Sequence, residues 1–262
     1  MIRRISIALV LLSALFVSCA QRTAQRLEEE IGRGHALYEE RRYSEAMEAY
    51  SHAETMALKA EDYHSLGIIY QKIAHTYNAT GGHSDEIAYL DKALEAFEKA
   101  GKPYNSLHVY FEGGVARYNS QDYASAEKVF RNTMFQAHQA ADTLLEAACL
   151  EAYAALCLET SRQDPDLAIS MLARKANELR CPLTCEDRGM LAYAYALVGD
   201  FKEASEWISK ALQSAETPSE KAQARFREYQ VAYRAGDETA ALAALEAVIS
   251  YEIGRASCRE RV

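Results

Sequence analysis

Apolar residues recur along this chain at intervals of three and four, as in Ile69, Ile73 and Tyr77 and again in Ile87, Leu90, Leu94 and Phe97. That spacing gives each segment one apolar stripe on an otherwise polar helix. A longer period is laid over it. A small residue, replaced once by a glutamate, returns at Ala46, Glu86, Ala126, Ala168, Ala204 and Ala241, in steps of 40, 40, 42, 36 and 37. A near-constant step of this size marks an array of similar units, each burying its apolar face against its neighbours.

Twelve residues upstream of each landmark stands a second one: Gly34, Ala74, Gly114, Ala192 and Tyr229. The fourth unit stretches the interval to fourteen, from Ala154 to Ala168, with the extra residues in Arg162-Gln163-Asp164-Pro165. Four residues after the downstream landmark comes a large apolar group, namely Tyr50, Leu90, Phe130, Leu172, Ile208 and Leu245. Small residues at the two landmarks let paired antiparallel helices approach, and the large one fills the space beside them. Each unit is therefore expected to be a helical hairpin.

Turns are expected at Thr80-Gly81-Gly82, Gly199-Asp200 and Gly236-Asp237 within hairpins, and at Gly101-Lys102-Pro103 between them. Pro103, Pro165, Pro182 and Pro218 all precede or open a helix, where a missing N–H costs nothing. Segments such as Tyr195-Ala196-Leu197-Val198-Gly199-Asp200-Phe201-Lys202-Glu203-Ala204 and Gln121-Asp122-Tyr123-Ala124-Ser125-Ala126 resemble tetratricopeptide repeats. Six units fall in register, about 26–60, 61–101, 103–141, 142–180, 183–216 and 218–252. The resemblance implies an all-α fold, a solenoid of TPR-like hairpins wound as a right-handed superhelix, whose concave face binds a peptide or protein segment.

Some positions depart from the pattern. Glu86 takes a normally small site, and an unpaired buried carboxylate is costly, so either that hairpin splays or its register slips to bring Ile87 inward. Thr133 and Lys175 replace the small residue seven positions on, so the third and fourth units match the pattern less well, and distortion is expected in the fourth.

The two ends read differently. Arg3-Arg4 followed by an apolar run from Ile5 to Val17 suits a secretory signal over residues 1–18, and thirteen residues are too few to span a bilayer as a helix, which needs about 20. Phe16-Val17-Ser18-Cys19 resembles the bacterial lipobox, although Phe16 stands where leucine is usual. That resemblance implies cleavage before Cys19, acylation of its thiol and a lipidated linker over 19–25. An ordinary signal peptide and an uncleaved anchor are the other readings. The resemblance also places the protein at the bacterial cell envelope, with Ala20 rather than aspartate after the cysteine pointing to the outer membrane over the inner. At the other end, residues 253–262 resemble one reading frame of a common sequencing adapter. A non-native tail, with a native chain continuing past Tyr251, is the expectation there, and a natural basic tail is the alternative.

Charge then narrows the partners. The chain carries 29 basic and 38 acidic residues, a net charge of −9. Without the leader and the tail, 24 and 37 remain, a net charge of −13. So acidic a surface is a poor match for nucleic acid, whose phosphates need a basic face. The sequence holds no His-Glu-x-x-His, Gly-x-Ser-x-Gly or phosphate-loop motif; an enzyme, a metal and a cofactor are not expected. His83-Ser84-Asp85-Glu86 reads as a helix start capped by Ser84.

Of the cysteines, Cys149 and Cys157 lie eight apart on one helix, about 12 Å of rise, and read as small core residues. Cys181-Pro182-Leu183-Thr184-Cys185 occupies a bend between units, where a Cys181–Cys185 disulfide and a pair of free thiols are both open readings. In the repeat family the first helix of each hairpin lines the concave groove. The alignment then projects His35 and Tyr38, Gln71, His75 and Asn78, and His108, Phe111 and Tyr118 from the first three units. Tyr193, Gln230 and Tyr233 follow from later ones. Packing between helices is the competing role for each of these residues.

The leading expectation is a non-catalytic, membrane-tethered scaffold that binds a protein or peptide. The alternative is the extracytoplasmic sensor region of a signal transducer or transcriptional regulator. The lipid anchor is tested by metabolic labelling with a radioactive fatty acid. Wild type is expected to take up label and Cys19→Ser to take up none; equal labelling, or none in either, removes the anchor.

Overall fold

The computed structural model describes the backbone of residues 2–101, 103–159 and 163–259, and side chains for 21–101, 106–159 and 163–251. The leader, Cys19 and the 253–262 tail therefore lie outside the described side chains. The described residues form two compact units, Met1–Asp122 and Tyr123–Val262. Both are built wholly from α-helices, without a strand among the described residues. No described helix is long and apolar enough to cross a membrane.

The first unit contains α1 (Ile2–Glu39), α2 (Tyr43–Ala60), α3 (Tyr63–Thr80), α4 (His83–Lys99) and α5 (Pro103–Asn119). The second contains α6 (Tyr123–Gln139), α7 (Thr143–Glu159), α8 (Pro165–Asn177), α9 (Cys185–Leu197), α10 (Phe201–Ser214), α11 (Pro218–Ala235) and α12 (Glu238–Arg259). Within each unit, helices consecutive in the chain pack on one another, so that α3 follows onto the α1–α2 hairpin, α5 onto α3–α4, α9 onto α7–α8 and α11 onto α9–α10.

The landmarks form the seams. Ala46, Glu86, Ala126, Ala168, Ala204 and Ala241 are all buried. At Gly34 the backbone of α1 lies so close to the Tyr50 ring that an added Cβ would stand 2.5 Å from its Cε1. A second close approach escapes the sequence pattern: a Cβ on Gly67 of α3 would stand 2.6 Å from the Phe97 ring of α4. Tyr50 and Phe97, both buried, use that space to fill the first two seams.

Helix starts follow local chemistry. Thr184 with Asp187 and Thr217 with Glu220 form capping boxes, while Asp62, Asp164 and Asp200 each accept a backbone N–H three residues on. Capping of this kind is worth about 1 kcal/mol per helix. The expected glycine turns occur, with Gly81, Gly101, Gly199 and Gly236 at positive φ. Five further turns place Arg41, Glu61, Gln121, Ala141 and Arg180 in the same left-handed region. The closing bonds explain why: Ala141 donates to the His138 carbonyl at 3.1 Å and Asp142 to the Ala137 carbonyl at 2.9 Å, a helix-ending pattern that needs this conformation.

Three sequence expectations are corrected. Glu86 neither splays its hairpin nor yields its place to Ile87; it is buried, and its carboxylate is paired with Asn78 at 2.8 Å and His83 at 3.1 Å. Ser84 does not cap α4, which begins at His83 behind Gly82 without a side-chain cap. Lys175 does not open a distortion: it turns inward, bonding Glu151 at 2.5 Å and the fully buried Asp187 at 2.6 Å. Asp187 also accepts the Thr184 N–H at 2.7 Å, so the capping box of α9 and the ion pair share one carboxylate. A third buried carboxylate, Glu146, is held by Arg174 and by His138 at 3.1 Å.

Two stability measurements follow. Ala141→Gly relieves the left-handed strain of about 1–2 kcal/mol at a backbone-entropy cost of about 0.5–1, and should raise the thermal midpoint slightly. Lys175→Met strands Asp187 and should destabilise by about 3–5 kcal/mol in urea titration. Burial draws the Lys175 pKa down, but the bonds to Asp187 and Glu151 outweigh it and hold it above its ordinary value. A raised lysine contributes stability in full below its unfolded pKa of about 10.4 and loses it as pH rises through the folded value. Alkaline unfolding should thus carry a component that Lys175→Met lacks.

Candidate functional site

The first helices of the hairpins carry the candidate residues, and each unit brings together its own set. In the first unit, α3 presents Gln71 and His75 one turn apart, and both reach the same carboxylate on α5. Gln71 Nε2 donates to Glu112 Oε1 at 2.8 Å, and His75 Nε2 stands 3.1 Å from Glu112 Oε2. Two donors thereby fix the orientation of a half-buried carboxylate beside half-buried Phe111. Glu112 was not among the residues projected from sequence. It lies two residues before the Gly114 landmark, one step from Phe111, which the projection did include.

The other projected residues of this unit divide by role. Asn78 is engaged within its own hairpin, donating to the buried Glu86. His35 is exposed, with Nδ1 3.8 Å from Glu39 Oε1. Tyr38 meets Tyr43 edge to face at 5.6 Å between centroids, and burial, aided by Tyr43 and Glu39, pushes its hydroxyl pKa up. His108 is exposed and Tyr118 half-buried.

In the second unit Tyr193 is buried, with its hydroxyl accepting from Gln163 Nε2 at 3.3 Å. It packs rather than presenting a surface, which corrects its projection as a groove contact. Arg227 of α11 lies over it, the guanidinium carbon 5.8 Å from the ring centroid. The stem of Arg227 fits against Gly189 of α9, where a Cβ would meet Cγ at 2.9 Å. Its Nη1 donates to Gln230 Oε1 at 3.0 Å and stands 3.6 Å from Glu159 Oε1. Gln230 thus belongs to a charged cluster organised by Arg227, which the sequence projection missed. A cavity of ≈ 300 Å³ opens beside it, lined by Cys185, Glu186, Gly189, Gln223, Phe226, Arg227 and Val248 among others. Tyr233 ends an aromatic ladder on α11, Phe226–Tyr229–Tyr233, with 6.0 Å between successive centroids.

Among the described residues, Cys149, Cys157, Cys181 and Cys185 are free thiols. Cys185 is buried at the start of α9 and directs Sγ to the Ala211 carbonyl at 3.3 Å, whereas Cys181 Sγ faces the Leu179 carbonyl at 3.8 Å. The Cys181–Cys185 disulfide reading is therefore not realised in this structure, because the two sulfurs serve different carbonyls. Cys149 and Cys157 sit in the core of α7, where burial pushes each thiol up to about 12. No cluster of three metal-ligating side chains occurs among the described residues.

Comparisons with known proteins place this geometry. Residues 14–112 match a family described as "Uncharacterized protein conserved in bacteria (DUF2225)", and residues 188–218 match the tetratricopeptide repeat family. No curated protein matches the chain. Among solved structures, the apo form of RapI aligns with a TM-score of 0.75 at 15% identity, covering 88% of this chain and 84% of that one. NprR in complex with its cognate peptide NprX aligns at 0.59 and 20% identity, over 86% of this chain and 65% of NprR. The Cut9–Hcn1 hetero-tetramer of the APC/C aligns at 0.62 and 15% identity, over 85% of this chain but only 39% of the matched chain. This chain thus spans less than two thirds of the matched length in two of the three. Residues 188–218, which hold α10 and most of α9, are a tetratricopeptide repeat, and the helical hairpins of both units have the TPR-like fold.

Proposed function

We propose that this protein is a non-catalytic interaction scaffold of the bacterial cell envelope, which holds a peptide or protein partner along the first-helix faces of its hairpins. The observation that carries the reading is the carboxylate of Glu112, oriented from a neighbouring helix by Gln71 and His75. A pre-oriented acceptor on α5, the helix that also carries Phe111 and Tyr118, offers a partner's N–H groups a fixed hydrogen bond and its apolar groups a contact surface. Both reduce the ordering that binding would otherwise require. NprR, with a related fold, was solved with a bound peptide. In this chain the residues that would do the work are amide, imidazole, carboxylate and aromatic.

The envelope part of the proposal rests on the lipobox-like Phe16-Val17-Ser18-Cys19. Two or more acyl chains on Cys19 would hold the array stably at a membrane surface, since one chain alone binds only marginally.

Affinity capture with the wild-type chain, a Tyr38→Ala/Phe111→Ala/Tyr118→Ala variant and Glu112→Gln tests the face directly. Truncating interface aromatics typically costs about 2 kcal/mol or more where they are hot spots, so the triple variant should lose its partners at least about 30-fold. Glu112→Gln should weaken them more modestly. Circular dichroism confirms that each variant is folded. If all three chains retain the same partners equally, the first-helix face is not the binding surface.

A further inference from the structure

The second unit has small residues at register positions where the first has large ones. Cys185 and Gly189 of α9 stand seven and three residues before the Ala192 landmark, the places that Leu27 and Ile31 of α1 hold before Gly34. Leu27 is buried in the core of the first unit and Ile31 packs against it. Their counterparts are a thiol and a bare backbone, and Ala222 lines the same space from α11 with a single methyl group. The ≈ 300 Å³ cavity is the volume these short residues leave open. Packed interiors hold few voids larger than one water molecule, whereas this one has room for about ten water-sized groups.

The cavity's chemistry is uneven. Cys185, Gly189 and Ala222 are buried and apolar, and Phe226 adds an aromatic wall. Three polar side chains complete the lining, Glu186 from α9 with Gln223 and Arg227 from α11. Glu186 and Gln223 are exposed, which puts a carboxylate and an amide at the mouth. Arg227 is nearly buried, with 11% of its side chain exposed, and its charge is only loosely matched. Its contacts to Gln230 at 3.0 Å and Glu159 at 3.6 Å both use Nη1, and an ion pair to so exposed a carboxylate as Glu159 is weak. A guanidinium carries five N–H donors in a planar fork that fits a carboxylate two at a time.

We infer that this cavity binds a free apolar α-amino acid of the size of leucine or phenylalanine. Arg227 takes the carboxylate and Glu186 the ammonium, while the apolar side chain fills the space between Phe226 and the small residues Gly189 and Ala222. A lining that holds both an acid and a base disfavours a ligand with one charge and suits a ligand with both. The volume sets the length at a single residue. Apolar walls with a few polar groups to fix orientation are the usual make-up of small-ligand pockets, whose volumes begin near 300 Å³. All three polar groups stand on α9 and α11, consecutive first helices that pack on one another, so the site belongs to their seam. Glu112 and the residues grouped with it lie in the first unit and this cavity in the second, so the two readings fail separately.

Saturation-transfer NMR on the detergent-purified full chain tests the site with L-phenylalanine as the probe. Transfer should saturate with a Kd of about 0.1–10 mM, the reach of a ligand of about ten non-hydrogen atoms. Hydrocinnamate, which lacks the ammonium, and phenethylamine, which lacks the carboxylate, should each bind at least about 10-fold more weakly. Glu186→Gln, a change at an exposed position that leaves the fold intact, should weaken L-phenylalanine about 10-fold without weakening hydrocinnamate. Ala222→Leu should fill the cavity and abolish transfer while helical circular dichroism is retained; should that variant unfold, the Glu186→Gln result decides. No saturable transfer, hydrocinnamate or phenethylamine binding as tightly as L-phenylalanine, or unchanged L-phenylalanine binding in Glu186→Gln overturns the inference.

Discussion

The close approach of a ring on one helix to the bare backbone of its partner sets the geometry on which the rest of the first unit depends. Tyr50 on Gly34 and Phe97 on Gly67 bring the two helices of each hairpin near enough for the alanines between them to be fully buried. That separation then fixes how the next first helix lies over the seam. The spacing that lets Gln71 and His75 converge on Glu112 follows from it. A side chain at Gly34 or Gly67 would push against an aromatic ring in a core without spare volume, where overpacking costs about 1–3 kcal/mol. The shift would also carry the candidate binding face with it.

Buried charge is the second structural theme. Glu86, Glu146 and Lys175 each occupy a position where an apolar or small side chain would be expected, and each has partners within hydrogen-bonding distance. In all three cases the partners come partly from a different helix, so the charge ties elements together that the apolar stripes alone would allow to slide. Burial pushes the Glu151 carboxyl up while its bond to Lys175 pulls it down, the net being a raised value. Replacing one member of such a group is far more damaging than replacing all with apolar residues, which makes these clusters sharp determinants of register.

Much of the fold was legible because helical periodicity and a forty-residue step are carried by many residues at once. Helix boundaries at Gly81, Gly101, Gly199 and Gly236 followed from turn chemistry. The five turns with non-glycine residues at positive φ were invisible, since Arg41, Glu61, Gln121, Ala141 and Arg180 have no local signature of that conformation. Pairing was the harder problem. The sequence shows Glu86 and Lys175 as misfits, and only three-dimensional proximity to Asn78, His83, Glu151 and Asp187 shows them satisfied. The same limit governs the candidate site. A projection from repeat register names Gln71 and His75, which the structure brings onto one carboxylate, but not Glu112 or Arg227, whose contacts reach between adjacent hairpins. It also assigned Tyr193 to a surface although its ring lies beneath Arg227.

The central claim is that partners lie along the first helices rather than on the second ones. Hydrogen–deuterium exchange of the full chain, alone and with a captured partner, reads this helix by helix. The account predicts slowed exchange in α1, α3 and α5, centred on the Gln71–Glu112 contact, with α2 and α4 unchanged. Protection confined to α2 and α4, with the first helices exchanging as in the free chain, would contradict it.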